Sequence, residues 1–206
     1  MDVYTGSEHF MIEGMSANYL LSDFWAWQAS DLLNNTLRGV LAEFIVAKAL
    51  GLDTSCTRQD WDAYDLLVNG QWRIEVKSSA YLQSWEQKRE SRLQFSIRPT
   101  REWLPVDGFS SDSMRRSDLY VFCAFTCKER SEADPLNLDQ WEFYILPTFI
   151  LNESCGDQKT ISLPRLKELH AEKSDYRTLN ARVRRMLLRT CGSEADCPQD
   201  CPPDCP

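Results

Sequence analysis

Four ionic residues, Glu43, Asp65, Glu75 and Lys77, stand where they could do hydrolytic chemistry together. Glu75-Val76-Lys77 lies in QWRIEVK, where Trp72, Ile74 and Val76 alternate with Arg73, Glu75 and Lys77. Residues two apart in a strand project from one face, so Glu75 and Lys77 point together while Val76 anchors the strand from behind. Asp65 comes from the preceding strand-like run, YDLLV. A hard divalent cation takes oxygen ligands, and two carboxylates on adjacent strands supply them with little motion. An ammonium beside the bound water helps to hold it and favours its deprotonation. With the metal as Lewis acid and source of hydroxide, the set suits hydrolysis of a phosphodiester. Two more carboxylate-x-Lys triplets, Glu86-Gln87-Lys88 and Asp157-Gln158-Lys159, lie in polar, loop-like sequence and read as solvated surface.

The elements around these residues must bring them together. Asn69-Gly70 between two strand runs is a strong hairpin signal. Directly opposed residues of an antiparallel pair share a face. A two-residue loop would set Asp65 against Ile74, on the oily side, whereas an odd loop moves Asp65 to the side of Glu75. The odd loop is the expectation. Glu43 falls in a helix whose Leu37, Val40, Leu41, Phe44 and Ile45 form one apolar face, with Gly51 as its stop. A carboxylate beside such a face is costly unless a cation or donors answer it. Upstream, Tyr19 to Leu33 reads as a further helical stretch, so residues 17–50 are expected to be helical, with Trp25 and Trp27 in the core. A third strand is expected over Leu93 to Arg98 and a loop or insertion over residues 99–117. Two apolar strands follow, LYVFCAF (119–125) and WEFYIL (141–146), then helices from Pro164 to about His170 and from Asp175 to Arg189. Leu179, Val183, Met186 and Leu187 would face inward on the last helix, and its arginines outward. The order is that of a mixed α/β layer in one domain, residues 1–190.

The chain has 206 residues and a formal charge of −8, but the charge is uneven. Residues 1–37 hold five acids and no Lys or Arg, and residues 191–206 hold four acids and again no base. Between them 22 acids face all 23 bases, so the body is neutral and can carry a local basic face. No apolar run is long enough for a membrane span, and the N-terminus lacks the pattern of a secretory signal, which places the chain in a cytoplasm with reduced thiols. The acidic Cys/Pro-rich segment 191–206 reads as a disordered tail. His9 and His170 are too isolated for a triad or a zinc site, and no GxxxxGK phosphate loop occurs, so nucleotide hydrolysis is not supported.

Over residues 36–98 the sequence resembles the PD-(D/E)xK nuclease superfamily, through Gly39-x-x-x-Glu43, Asp65 and Glu75-x-Lys77. RGVLAEFIVAKALG, WDAYDLL and IEVKSSAYLQSW together look like an uncharacterised bacterial family within it. The resemblance implies a restriction-endonuclease-like α/β fold, a central mixed sheet of about five strands flanked by helices. It also implies Mg²⁺ (or Mn²⁺) as cofactor and cleavage of DNA. Asp65 and Glu75 would bind the metal, Lys77 would orient the attacking water, and Glu43 would be an additional metal or water ligand. No Pro precedes Asp65, and Asp62 is a rival for its role. Ser78, Gln83, Arg98, Arg115 and Arg116 are candidate DNA contacts, DNA is the expected partner without a membrane, and a homodimer is left open. The alternative is a catalytically silent nucleic-acid-binding or scaffold protein on the same fold.

Overall fold

A computed structural model of the chain describes residues 3–58, 64–104 and 108–190, with 101–104 and 108–112 given by their backbone path alone. In chain order the elements are β1 (His9–Ile12), β2 (Met15–Leu20), α1 (Leu21–Ala29), α2 (Asn35–Ala49), β3 (Leu66–Val68), β4 (Trp72–Ala80), β5 (Gln94–Ser96), β6 (Thr100–Leu104) and β7 (Gly108–Met114). There follow β8 (Leu119–Phe125), β9 (Trp141–Pro147), α3 (Thr148–Cys155), β10 (Thr160–Ser162), α4 (Leu163–Glu168), β11 (Glu172–Ser174) and α5 (Tyr176–Thr190). Five strands form the central sheet in the order β11-β9-β8-β4-β3. The β4/β8 pair is parallel and the others are antiparallel, so the sheet is mixed and flanked by helices as expected.

β8 explains the layering. All seven of its residues are buried, as suits an uninterrupted apolar run covered on both faces. Leu119, Val121, Cys123 and Phe125 join Ile74, Val76 and Ala80 of β4 and pack against Ala42, Ile45 and Val46 of α2 and Leu179, Val183 and Leu187 of α5. The alternate residues Tyr120, Phe122 and Ala124 form a second core with Leu93, Phe95 and Ile97, Leu151 of α3 and Leu166 of α4. Glu75 pairs in register with Tyr120 and Lys77 with Phe122, so both belong to this second face.

The β3/β4 hairpin has the odd loop. Val68 pairs with Trp72 and Leu66 with Ile74, leaving Asn69, Gly70 and Gln71 in the turn. Asn69 and Gly70 both take positive φ (53° and 67°), which Asn and Gly tolerate, and Gln71 N–H donates to Val68 O at 3.1 Å. Continued by one residue, the register sets Asp65 opposite Glu75.

Other expectations are corrected. The helical reading of 17–50 breaks into a hairpin and two helices. β1 and β2 turn at Glu13-Gly14, both at positive φ, and α1 begins only at Leu21. Trp25 and Trp27 are exposed, at 41% and 84%, not in the core. In α2 the buried face is Arg38, Ala42, Ile45, Val46 and Ala47, whereas Val40 and Phe44 are exposed. Of the loop or insertion expected over residues 99–117, the structure shows the second, as the β6/β7 hairpin apart from the central sheet. β5 is a strand of only three residues and pairs with β10 outside the central sheet. Segment 191–206 and Asp62 lie outside the described residues. Among the described residues no helix is long and apolar enough to cross a membrane.

Candidate active site

β3 stops pairing at Leu66, opposite Ile74, while β4 continues to Ala80. Asp65 is the first residue past that pairing, and it caps the edge it leaves. Its own N–H donates to Ile74 O at 3.1 Å, and Val76 N–H donates to its Oδ2 at 2.7 Å. This bond fixes the carboxylate beside its two partners. Lys77 Nζ lies 2.5 Å from Glu75 Oε1 and 3.6 Å from Asp65 Oδ2. The other Glu75 oxygen accepts from the Ser117 hydroxyl at 3.0 Å. The three side chains are 18–28% exposed, enclosed enough to strengthen electrostatics and open enough to be reached.

Burial pushes the Glu75 carboxyl above its ordinary value, Lys77 pulls it back and Asp65 adds to the rise. Burial alone would lower Lys77, but the Asp65 and Glu75 carboxylates outweigh it and hold the ammonium above its ordinary value. Lys77 is therefore a fixed cation at neutral pH.

Glu43 reaches the same field from α2. Burial raises its carboxyl, Arg58 opposes, and the Asp65 and Lys77 charges are both felt there. Its oxygens are occupied differently from the expectation. Arg58 grips them bidentately, Nε to Oε2 at 2.5 Å and Nη2 to Oε1 at 2.9 Å. Among the described residues no group of three or more His, Cys, Asp or Glu is gathered to hold a metal ion. What fits a divalent cation is the oxygen pair of Asp65 and Glu75. These are hard donors, and Asp65 Oδ1 accepts no hydrogen bond among the described residues.

The expected DNA contacts divide. Arg115 is only 8% exposed, and its guanidinium is spent inside the protein on Ile97 O (2.7 Å), Asn152 Oδ1 (2.9 Å), Gly156 O (2.8 Å) and Gln158 O (3.2 Å). Gln83, 7% exposed, donates through Nε2 to Ala80 O and Ser91 Oγ. Ser78 accepts from Arg38 Nε at 3.2 Å. Arg115 and Gln83 brace the structure and are not free to meet a phosphate, whereas Ser78 is half-buried and its hydroxyl keeps a proton to donate. Arg116 is half-buried and Arg98 is exposed.

Sequence reasoning missed Arg58 and Ser117. Neither carries a motif. Ser117 approaches Glu75 because β8 pairs in parallel with β4, a long-range fact that spacing does not encode. No curated protein matches the chain. A family model described as bacteriophage T4 endonuclease IV matches residues 15–165, a span that contains Glu43, Asp65, Glu75 and Lys77, and the protein belongs to that endonuclease family.

Proposed function

We propose that the protein is a metal-dependent DNA endonuclease of the PD-(D/E)xK type. One observation carries the reading: an odd hairpin loop sets Asp65 against Glu75 and beside Lys77 at the edge of β4, in a chain of an endonuclease family. Asp65 and Glu75 would hold Mg²⁺ or Mn²⁺, which when bound supplies Lewis acidity at the scissile phosphate and lowers the pKa of water. Lys77 stays charged, so its part is to orient the attacking water and to balance charge on the phosphate. Ser117 keeps the Glu75 carboxylate turned toward Lys77. The Val76 N–H holds Asp65 in place, so the donor pair is preorganised before substrate arrives.

Isothermal titration with Mn²⁺ should show binding that Glu75→Ala removes. Lys77→Met should retain that binding and lose cleavage of a DNA substrate by at least about 100-fold. If wild type and Glu75→Ala titrate alike, the metal-dependent reading fails. A second reading, a DNA-binding protein without catalysis, is favoured by one feature: Glu75 already has Lys77 as partner and Glu43 has Arg58, so the cluster largely neutralises itself. Metal binding without turnover in the intact chain would select it.

A further inference from the structure

The chain between β4 and β5 forms an organised loop. Its ends are closed by Ser91 N–H donating to Tyr81 O at 2.9 Å. Gln87 fastens the interior, accepting from Gln83 N–H at 2.7 Å and donating to Tyr81 O and Ser91 Oγ. From outside, Arg130 Nη2 binds the carbonyls of Gln83 (2.7 Å) and Trp85 (2.8 Å), and Lys128 pairs with Glu90 at 2.7 Å. A compact surface loop tied this thoroughly is a frequent carrier of function.

What the ties hold in place is telling. Trp85 is 56% exposed although its backbone is clamped. Beside it a groove of about 650 Å³ is lined by Trp85, Lys88, Arg89, Arg92 and Gln94 among others. Lys88, Arg89 and Arg92 are exposed and form no ion pair among the described residues. Two acids also line the groove: Glu90 is neutralised by Lys128, and exposed Glu86 leaves three cations against one carboxylate. An acidic protein thus keeps a local cationic groove with an aromatic face at its rim. The loop starts at Tyr81, directly after the strand that carries Glu75 and Lys77, and Ala80 is only ~10 Å beyond Lys77 at ~3.3 Å per residue. Gln94 N–H donates to Ser79 Oγ at 3.1 Å, which returns the far end of the loop to the same strand.

We propose that this groove is a DNA subsite next to the catalytic edge, in which Trp85 stacks one nucleobase and Lys88, Arg89 and Arg92 take the flanking phosphates. Aromatic platforms with cationic neighbours are how protein surfaces grip a strand whose bases are accessible. The assignment rests on the nuclease reading for its ligand but depends on different residues.

The test uses the full chain carrying Lys77→Met, in EDTA, with a short fluorescein-labelled oligothymidylate read by anisotropy across a salt series. Added Trp85→Ala should weaken binding at least about five-fold without changing the salt slope, and Trp85→Phe should recover most of the loss. Replacing Lys88, Arg89 and Arg92 together with Gln should flatten the slope of log affinity against log salt by about 2, at ~0.7 per phosphate contact on a single strand. All four side chains are exposed, and thermal midpoints equal to the parent's verify that the fold is kept. Unchanged affinity in Trp85→Ala, or an unchanged slope in the triple variant, overturns the proposal. If these binding signatures appear but the chain with Lys77 restored cuts no DNA with Mg²⁺ or Mn²⁺, the subsite stands and the nuclease reading falls.

Discussion

Two arginines are drawn almost wholly into the body, Arg38 at 3% and Arg115 at 8% exposure, and each is spent on fixing chain segments to one another. Arg38 joins Leu33 O, Asn35 Oδ1 and Ser78 Oγ, tying the start of α2 to β4, and burial lowers its pKa from the ordinary value. Arg115 ties the end of β5 to α3 and the turn that follows it through four acceptors. Removing the guanidinium would leave buried acceptors unanswered, at ~1–3 kcal/mol for each that water cannot reach. Arg115→Ala should therefore lower the free energy of unfolding by about 2–4 kcal/mol, read from urea midpoints. Oligonucleotide affinity per folded molecule should stay unchanged. Exposed Arg98→Ala should be nearly neutral in stability, within ~0.5 kcal/mol. Equal urea midpoints for Arg115→Ala and wild type would contradict the bracing role. The sequence offered Arg98 and Arg115 as equals, because charge alone does not say whether a guanidinium will find carbonyls or solvent.

At the scale of elements, the edge strand β11 is held to β9 partly by one carboxylate. Glu142 accepts from Lys173 Nζ at 2.6 Å and from the Tyr144 hydroxyl at 2.6 Å. Burial pushes its carboxyl up, but those two donors prevail and hold it below its ordinary value. A depressed carboxylate contributes stability that is present above its unfolded-state pKa and is lost as pH falls through the folded one. Glu142→Gln should thus lower the thermal midpoint at pH 7, and the gap to wild type should close as the solution is acidified below the unfolded glutamate range, ~4.3. A gap that persists at low pH would assign the loss to packing instead. The sheet itself was legible. β8 and β9 are apolar runs of strand length, and the need to set Asp65 on the face of Glu75 pointed to the odd register that the hairpin shows, although Asn69-Gly70 by itself favours a two-residue loop. α2 was placed correctly but rotated, because Val40 and Phe44 are exposed while Arg38 is buried, the reverse of what hydrophobicity predicts. The β1/β2 hairpin was illegible for a related reason. Of its strand residues only Ala17 is buried, so no inside and outside alternate for a pattern to reveal.

For the whole molecule, the central sheet separates two sides with different tasks. α2 and α5 cover the face of Ile74, Val76 and Val121, while Glu75 and Lys77 share the register positions of the opposite one. The arginines of α5 therefore belong to the side away from Glu75 and Lys77. Part of that row is also occupied, since Arg182 and Arg185 both engage Glu172 and Arg184 donates to Asn180. With a net charge of −8, long-range attraction of DNA is absent, and association must depend on short-range contacts that counterion release makes visible. Each such contact contributes about −0.9 to the salt slope on duplex DNA. Charge reversal at Arg184 and Arg189 should leave both that slope and the cleavage rate as they are in the wild type, because α5 does not line the approach to β4. The measurement is a salt series of binding on the Lys77→Met background, paired with cleavage assays on the chain that keeps Lys77. A slope shallower by one unit or more in the double reversal would show that DNA also crosses the α2/α5 side. The substrate would then have to wrap the β3 edge of the sheet to reach Asp65 and Glu75.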